Sequence, residues 1–254
     1  MTRSAPWAAA FDDVGWRLPE ILTVEATARA VEHLESYMRH DEHKGPEYSG
    51  SWFHRLGGGG DREDIKNVIT SDDLVSLNTL NERAGGQEAI ALLTDLSDWD
   101  RPEVPLDETV RDSTSHRLPI NPDQVTSLLR QIGTDLRLED LTEDEFARFQ
   151  ALWDDLFWSL RRKKFGPVAV YKLCARKRPH LIPIYDTNVK KQLGIGDPVG
   201  FTAHLHRVLR HGDGAFTRHL ADIRSQVDEA ADLSLIRVFD IVVWREQEQR
   251  GKRT

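Results

Sequence analysis

The sequence predicts a mainly α-helical protein, folded as a helical bundle with an irregular N-terminal region. Apolar residues recur at three- and four-residue spacing over most of the chain, which is the spacing of a helix that buries one face. Residues that cap helices precede several of these runs, and the alternation typical of strands is scarce. The 254 residues, of which 39% are hydrophobic, are enough to bury a sizeable core.

The N-terminal part, residues 1–119, combines helices with irregular segments. Hydroxyl and carboxylate groups at and after Thr70 suit the unpaired N–H groups of a helix's first turn. Residues 41–64 are rich in Gly, His and acidic residues, which predicts a partly packed loop with room for a short strand. Residues 97–119 are rich in Pro, Asp, Arg and Ser, which predicts a linker. The predicted helices of this part cover residues 23–38, 70–81 and 87–96.

The C-terminal part, residues 120–254, is predicted to be the helical bundle. Thr142 and Glu145 match the capping-box pattern and precede the strongest apolar stripe of the chain. The segment from Pro179 to Pro183 is expected to be non-helical, because a residue before proline avoids the helical region. The predicted helices of this part cover residues 123–132, 142–160, 168–176, 187–193, 200–211, 214–230 and 234–247.

Charge is distributed unevenly along the chain. The formal net charge of −8 would repel nucleic acid or an anionic membrane if it were spread evenly, so such a partner requires a local basic patch. Acidic residues are concentrated in segments 61–73, 95–112 and 139–155. Residues 161–191 carry ten Lys and Arg residues and a single Asp, which is the largest charge asymmetry in the sequence.

Composition also sets aside several classes of protein. No apolar run approaches the roughly 18 to 20 residues of a membrane span, and Met1 to Ala10 lack the pattern of a secretory signal. A cytoplasmic protein without a membrane partner is therefore expected. Cys174 is the only cysteine, which excludes an intramolecular disulfide and a thiolate-based metal site. The histidine spacing predicts no metal site, and no cofactor is expected.

The basic segment 161–191 is a candidate nucleic-acid-binding face. Cations interleaved with Phe165, Tyr171 and Tyr185 are typical of surfaces that bind phosphates and stack on bases. The alternative is that these cations pair with the acidic residues of segment 139–155, and exposed ion pairs contribute too little to favour either role. The candidate binding residues are Lys163, Lys164, Lys172, Arg176, Lys177, Arg178, Lys190 and Lys191.

A glycine run is a candidate ligand-binding loop. Glycines let backbone N–H groups approach a phosphate closely, and the helix predicted after Thr70 offers a positive end. The run lacks the Gly-Lys-Ser/Thr ending of a P-loop. A flexible surface loop is the alternative, because glycine often means only backbone freedom. The candidate loop residues are Gly57, Gly58, Gly59 and Gly60.

Asp186 is the residue with the strongest claim to a chemical role. It follows the apolar segment 181–184 at the predicted start of a helix, close in sequence to Lys190 and Lys191. A carboxylate at such a place can act as a base or stabilise a developing cation. The alternative is an N-cap that accepts hydrogen bonds from the next turn, which is the usual role of Asp there.

The segment from Gly166 to Gly194 resembles the second half of the helix-hairpin-helix motif of DNA glycosylases. The resemblance rests on Gly166-Pro167, an apolar helix, a proline-containing apolar run and Ile184 to Val189 (IYDTNV), which precedes a basic helix. It implies a glycosylase-like C-terminal half, a DNA partner and a catalytic role for Asp186. The segment FGP that ends at Pro167 stands where that family has its Leu-Pro-Gly-Val-Gly hairpin.

Most of the chain is also similar to an uncharacterised bacterial family of hypothetical proteins. The similarity rests on residues 50–61 (GSWFHRLGGGGD), 69–80 (ITSDDLVSLNTL) and 172–186 (KLCARKRPHLIPIYD). It implies no activity, but it places the glycine run and Asp186 in one shared design. The sequence therefore favours a nucleic-acid-associated protein that binds DNA or RNA, with catalysis and oligomeric state unassigned. A protein-binding or small-ligand-binding module is the alternative.

Overall fold

Helices joined by turns and loops make up the protein. The computed structural model describes residues 5–94, 120–196, 198 and 200–253. Within these ranges the chain forms α-helices and short 3-10 turns, and the only strands are a pair of two residues each. The predicted mainly α fold is therefore confirmed. The predicted linker, residues 97–119, lies outside the described residues.

The α-helices are numbered here in chain order over the described residues. They are α1 Ala8–Asp13, α2 Thr27–Met38, α3 Ser71–Leu77, α4 Gly86–Leu93, α5 Pro122–Gln131, α6 Glu143–Leu160, α7 Pro167–Lys177, α8 Thr187–Leu193, α9 Phe201–Ser225 and α10 Leu235–Arg253. The 3-10 turns are Glu20–Leu22, Val24–Ala26, Ser49–Trp52, Leu56–Gly58, Asn78–Leu80, Leu138–Asp140 and Asp228–Ala230. Strands β1 His40–Asp41 and β2 Gly45–Pro46 pair antiparallel.

Helix ends follow the capping residues of the sequence. The side chains of Thr70 and Thr142 each accept a hydrogen bond from the third helical N–H in a complete capping box. Asn121 caps α5, which has Pro122 at its first position. Gly194 ends α8 in the left-handed conformation that glycine adopts without strain. These local signals explain why the predicted starts of α3, α5 and α6 and the predicted end of α8 agree with the structure within about one residue.

Three features differ from the predicted elements. The helix predicted from residue 23 begins with a 3-10 turn, and α1 near the N-terminus was not predicted because its apolar stretch is too short to show a period. Helix α9 consists of two helical stretches separated by the non-helical residues His211–Gly214, as the helices predicted at 200–211 and 214–230 imply, but the second stretch ends at Ser225. Gly212, Asp213 and Gly214 have positive φ there, so the helical hydrogen bonding is interrupted.

The described residues group into two compact units that do not follow the predicted division at residue 119. The first unit comprises Met1–Ser51, Arg137–Asp140 and His180–Thr254, and the second comprises Trp52–Leu136 and Leu141–Pro179. Both units draw residues from both sides of position 119. The chain therefore passes between the units several times, which a linear reading of composition does not anticipate. A linker at 97–119 stays a prediction.

The core of the first unit is built on α10, which packs against α2, α8 and α9. Residues 235–243 of this helix are all buried, so its first part has no solvent-facing side. An aromatic cluster joins α1 and α9 to it, because the Phe216 ring contacts those of Trp7, Phe11 and Phe239 at centroid distances of 5.4 to 6.1 Å.

The core of the second unit is a helical stack. Helix α6 packs against α5 and α7, and α3 packs against α7. Trp153 of α6 is 2% exposed and meets Tyr171 of α7 edge to face, with centroids 5.0 Å apart. Phe165, in the connection between these helices, is fully buried. This packing fixes the connection between α6 and α7, where the first candidate site lies.

Candidate functional site

A tight hairpin connects α6 to α7. Arg162 and Phe165 exchange backbone hydrogen bonds, from Arg162 N to Phe165 O at 2.9 Å and from Phe165 N to Arg162 O at 3.1 Å. Lys163 and Lys164, the two residues between them, are exposed. The buried Phe165 ring anchors the hairpin to the core. The hairpin therefore presents two lysines to solvent at a fixed place.

Helix α7 begins directly after this hairpin. Gly166 is its N-cap residue and supplies no side-chain cap, and Pro167 takes the first helical position. A methyl group placed on Gly166 would meet nothing within 4 Å, so there is space beside this one residue. The N–H groups and the dipole of a first turn favour an anion. Helix α6 thus precedes the hairpin and helix α7 follows it, and a relation to the helix-hairpin-helix motif stays a prediction.

The last turn of α6 carries a cation on aromatic rings. The Arg161 guanidinium carbon lies 4.7 Å from the Trp158 ring centroid and 5.9 Å from that of Phe157. All three side chains are half-buried. The three- and four-residue spacing places them on one face of the helix end.

Four of the predicted binding residues are buried, contrary to the expected outward-facing surface. They are Lys172, Arg176, Lys177 and Arg178, with exposures of 3, 1, 0 and 1%. Side chains this deeply buried cannot contact a phosphate backbone in this structure. Their positive charges are instead paired and hydrogen-bonded within the second unit, as burial of a charge requires. The expectation that these four side chains face solvent is therefore wrong.

Arg176 and Lys177 share the buried carboxylate of Asp73, at the N-terminal end of α3. Arg176 Nε lies 2.8 Å from one carboxylate oxygen and Lys177 Nζ lies 2.5 Å from the other, and all three side chains have 0% exposure. The remaining Arg176 donors bond to the carbonyl oxygens of Phe53 and Leu56. These contacts hold the segment before the glycine run against α7.

Backbone carbonyl oxygens accept most of the remaining hydrogen bonds of these buried cations. Lys177 Nζ donates to the carbonyls of Gly60 and Ile65 at 2.9 and 3.1 Å. Arg178 donates to Asn67 and to four backbone carbonyls. Burial lowers the pKa of Arg178 to about 10. Burial also lowers the pKa of Lys177, although the negative charge of Asp73 acts to raise it. Lys172 Nζ donates to the carbonyl of Leu80 at 3.0 Å.

These partners differ from both sequence interpretations. The cations were expected either to face solvent or to pair with acidic segment 139–155. The structure places residues 53–67 and Asp73 over the cation cluster, defined here as Arg176, Lys177 and Arg178. Backbone carbonyls are acceptors present at every residue, so sequence composition gives no sign of them.

The glycine run Gly57–Gly60 is packed on the cation cluster at its last residue, Gly60. Gly57, Gly58 and Gly59 have φ values of 60, 80 and 97°, which side chains with a Cβ rarely adopt. A Cβ on Gly60 would lie 2.5 Å from Arg176 Cγ and 2.9 Å from the Arg176 carbonyl oxygen. Glycine is therefore required here for backbone shape and for close packing. A ligand for this loop stays a prediction.

Asp186 lies in the first unit and caps α8. Its side chain accepts a hydrogen bond from the Asn188 N–H at 2.9 Å, as the N-cap interpretation predicts. The residue is half-buried, so part of it reaches solvent. Lys190 is half-buried and Lys191 is exposed on the same short helix. A chemical role for Asp186 stays a prediction.

A buried polar cluster near Asp186 was not anticipated from the sequence. Arg237 of α10 donates to the Tyr37 hydroxyl at 2.9 Å and forms an ion pair with Asp240. Burial raises the pKa of Tyr37, and the negative charges of Asp240 and Asp186 raise it further. The Arg237 guanidinium acts to lower this pKa but does not outweigh burial. In the sequence, Arg237 and Asp240 are two oppositely charged residues, three positions apart, within an otherwise apolar run. This pattern is the sequence signal from which the buried ion pair could have been predicted.

The Tyr37 ring also belongs to a stack of aromatic and cationic groups. It stacks on Tyr48 with centroids 5.5 Å apart and an interplanar angle of 12°. The Arg237 guanidinium carbon lies 5.5 Å from the Tyr37 ring centroid, and that of Arg245 lies 4.3 Å from the Tyr48 ring centroid. Trp244 meets both tyrosine rings edge to face. The stack ties α2 and the segment after β2 to α10.

Neither a metal-binding group of side chains nor a membrane-spanning helix occurs among the residues that the structure describes. No group of three or more His, Cys, Asp and Glu side chains there is arranged to hold a metal ion. None of the described helices combines the length and apolar character needed to cross a membrane. Cys174 is buried, and burial raises the pKa of its thiol.

Comparison with known proteins gives a family and nothing finer. No curated protein and no solved structure matches this chain. The family model described as a family of unknown function, DUF6308, matches residues 30–104 and 104–247. This match covers most of the chain and includes the glycine run, the hairpin and Asp186. The chain therefore belongs to DUF6308, a family of unknown function.

Proposed function

We propose that this protein binds nucleic acid through the hairpin between α6 and α7 and that it is of helix-hairpin-helix glycosylase-like descent. The observation that carries the proposal is the exposure of Lys163 and Lys164 on a hairpin held in place by the buried Phe165. Lysines in such a position neutralise phosphates and release counterions, which drives association with either DNA or RNA.

The surroundings of the two lysines support this role. The first turn of α7 follows them directly, and the dipole of a helix N-terminus favours a phosphate oxygen. The net charge of −8 opposes the approach of a polyanion, so the proposed binding requires a local cationic site such as the hairpin. Burial of the cation cluster makes the hairpin lysines the principal remaining candidates in the second unit.

The proposed descent rests on the order of elements and the local resemblance. Helix α6, the hairpin and α7 are followed in sequence by a non-helical segment and then by α8, with Asp186 at its N-cap. This is the order of the glycosylase motif that the sequence resembles. The proposal does not require catalysis, because the Asp186 carboxylate has a structural role as a cap.

The alternative proposal is a module that closes the glycine run over a small ligand or partner. In the structure, carbonyl groups at and before that run accept hydrogen bonds from Arg176 and Lys177. A loop held in this way does not close over a ligand without breaking buried interactions. The hairpin is therefore the better supported site.

The proposal is tested by measuring the affinity for fluorescently labelled oligonucleotides by anisotropy at low salt. The double variant Lys163→Glu/Lys164→Glu is expected to bind at least about tenfold more weakly than the wild type. A matched control, Arg130→Glu/Arg148→Glu, changes the net charge equally at two exposed arginines outside the hairpin. Absence of wild-type binding at low salt, or equal loss in both variants, would contradict the proposal.

A further inference from the structure

A half-buried aromatic surface lies beside the hairpin lysines, on the last turn of α6. It consists of Phe157, Trp158 and Arg161, which precede Lys163 and Lys164 by a few residues. We infer that Arg161 and Trp158 form a stacking platform for an unpaired nucleobase, so that the hairpin prefers single-stranded nucleic acid to duplex. This inference rests on the proposed function and adds to it the class of nucleic acid that is bound.

The platform has the geometry that base stacking requires. The Arg161 guanidinium carbon is 4.7 Å from the Trp158 ring centroid, so a planar cation already occupies a place on the ring. Nucleobases stack both on aromatic rings and on guanidinium planes. A base can therefore add to the Arg161 plane or replace it on Trp158.

The platform is supported from within the second unit. Phe157 meets Trp158 edge to face at 5.4 Å between centroids, and it also meets Trp153 at 5.7 Å and Tyr171 at 5.8 Å. Trp153 and Tyr171 are buried, so this row of rings runs from the core to the surface. A ring held from behind loses little conformational freedom when a ligand stacks on it.

Charge on the neighbouring hairpin complements the backbone of the same ligand. Lys163 and Lys164 are exposed two and three residues after Arg161, and three cations near one aromatic ring suit a base together with its adjacent phosphates. A duplex offers phosphates but keeps its bases stacked inside. Only an unpaired base can use the platform, and the preference for a single strand follows from this difference.

The inference is tested with three labelled ligands of matched length: oligothymidylate, oligouridylate and a DNA duplex. Wild type is expected to bind a single strand more tightly than the duplex, and the comparison of the two single strands identifies the preferred sugar. Arg161→Lys keeps the charge and removes the plane, and Trp158→Leu keeps apolar bulk and removes the ring. Each is expected to weaken single-strand binding about tenfold and to leave duplex binding within about twofold of the wild type.

The control and the contrary results separate this inference from the proposed function. Arg148→Lys, at an exposed site earlier on α6, is expected to bind all three ligands as the wild type does. Circular dichroism melting checks that each variant is folded. Equal or tighter wild-type binding to duplex, or no loss in Arg161→Lys and Trp158→Leu, overturns the platform while hairpin binding stands. Absence of binding to every ligand overturns both.

Discussion

At the scale of single residues, two buried cations of the second unit share one buried carboxylate. Asp73 contacts Arg176 and Lys177, and its carboxylate also accepts hydrogen bonds from the backbone N–H and the hydroxyl of Thr70. Removing one partner from a buried ionic group leaves the others without compensation, which is strongly destabilising. Asp73 thus connects the cap of α3 to the cation cluster of α7.

The substitution Asp73→Asn is therefore expected to lower the free energy of unfolding by about 3 to 5 kcal/mol, as measured by urea denaturation. The loss arises because an amide carries no charge to balance the Arg176 guanidinium and the Lys177 ammonium. Asp72→Asn, on the exposed neighbour, is the control and is expected to cost less than about 1 kcal/mol. Similar losses in the two variants would show that the buried pairing contributes little.

Because the cation cluster is buried and paired with Asp73, charge-reversal variants there would test folding and not nucleic-acid binding. Arg176→Glu or Lys177→Glu places a like charge against Asp73 in a fully buried position. Such variants are expected to unfold, so a loss of nucleic-acid binding in them carries no information about contacts. The exposed Lys163 and Lys164 are the appropriate positions for testing binding.

At the scale of elements, the two roles considered for Asp186 differ in what an amide can replace. Asn caps a helix about as well as Asp, whereas Ala does not. Asp186→Asn is expected to change the free energy of unfolding by less than about 0.5 kcal/mol, and Asp186→Ala to lower it by about 1 kcal/mol. Thermal or urea unfolding followed by circular dichroism measures both.

Thr187→Ala, at the exposed next residue, serves as the control for this comparison and is expected to match the wild type closely. If Asp186→Asn were as destabilising as Asp186→Ala, the negative charge itself would be stabilising the fold, and capping alone would be an insufficient account. Retained stability with Asn makes that variant a clean probe of any chemistry at the carboxylate.

Helices were predictable from the sequence because their determinants are local. The capping boxes at Thr70 and Thr142 and the stop at Gly194 each act within a few residues. The break in α9 at residues 211–214 was also anticipated as a gap between two helices, since Gly212 and Gly214 interrupt the period. Elements shorter than two turns, such as α1, give too few residues for a period to show.

The environment of α7 was not predictable in the same way. The groups that cover Arg176 and Lys177 lie 103 to 123 residues earlier in the chain, and most of them are backbone carbonyls. The sequence shows that these positions are charged. It does not show which of the charged side chains are covered by a segment that lies far away in the chain. The expectation of an outward basic face therefore failed at the cation cluster, whereas Lys163, Lys164 and Lys191 are exposed as expected.

At the scale of the whole molecule, buried histidines couple stability to pH. Burial lowers the pKa values of His33 and His219 from 6.5, in the case of His33 against the attraction of Glu246. Below pH 6.5 the unfolded chain therefore binds protons that the folded chain does not. Stability is retained above this pH and falls as the pH decreases below it.

The melting temperature is accordingly expected to fall between pH 7 and about pH 5.5, a range above the ordinary titration of the carboxylates. His219→Phe tests the origin of this fall, because a phenyl ring can keep the stacking on Trp7 but cannot bind a proton. The variant is expected to show a smaller decrease than the wild type. An identical decrease would assign the pH dependence to other groups.

At the scale of the whole molecule, the proposed binding of a polyanion must be compatible with the net charge of −8. Cations that would otherwise form a broad basic face are buried in the cation cluster, and the hairpin keeps two of them exposed. Binding is thus expected to depend on few contacts and to be sensitive to salt. The number of those contacts is the quantity that tests the account.

The most direct measurement is the slope of log affinity against log salt concentration for a single-stranded oligonucleotide. Each phosphate contact contributes about −0.7 to this slope for a single strand, so Lys163→Gln/Lys164→Gln is expected to make it shallower by about 1.4. A slope that is the same in the variant and the wild type would contradict the account, because it would show that nucleic acid, if bound, does not contact the hairpin lysines.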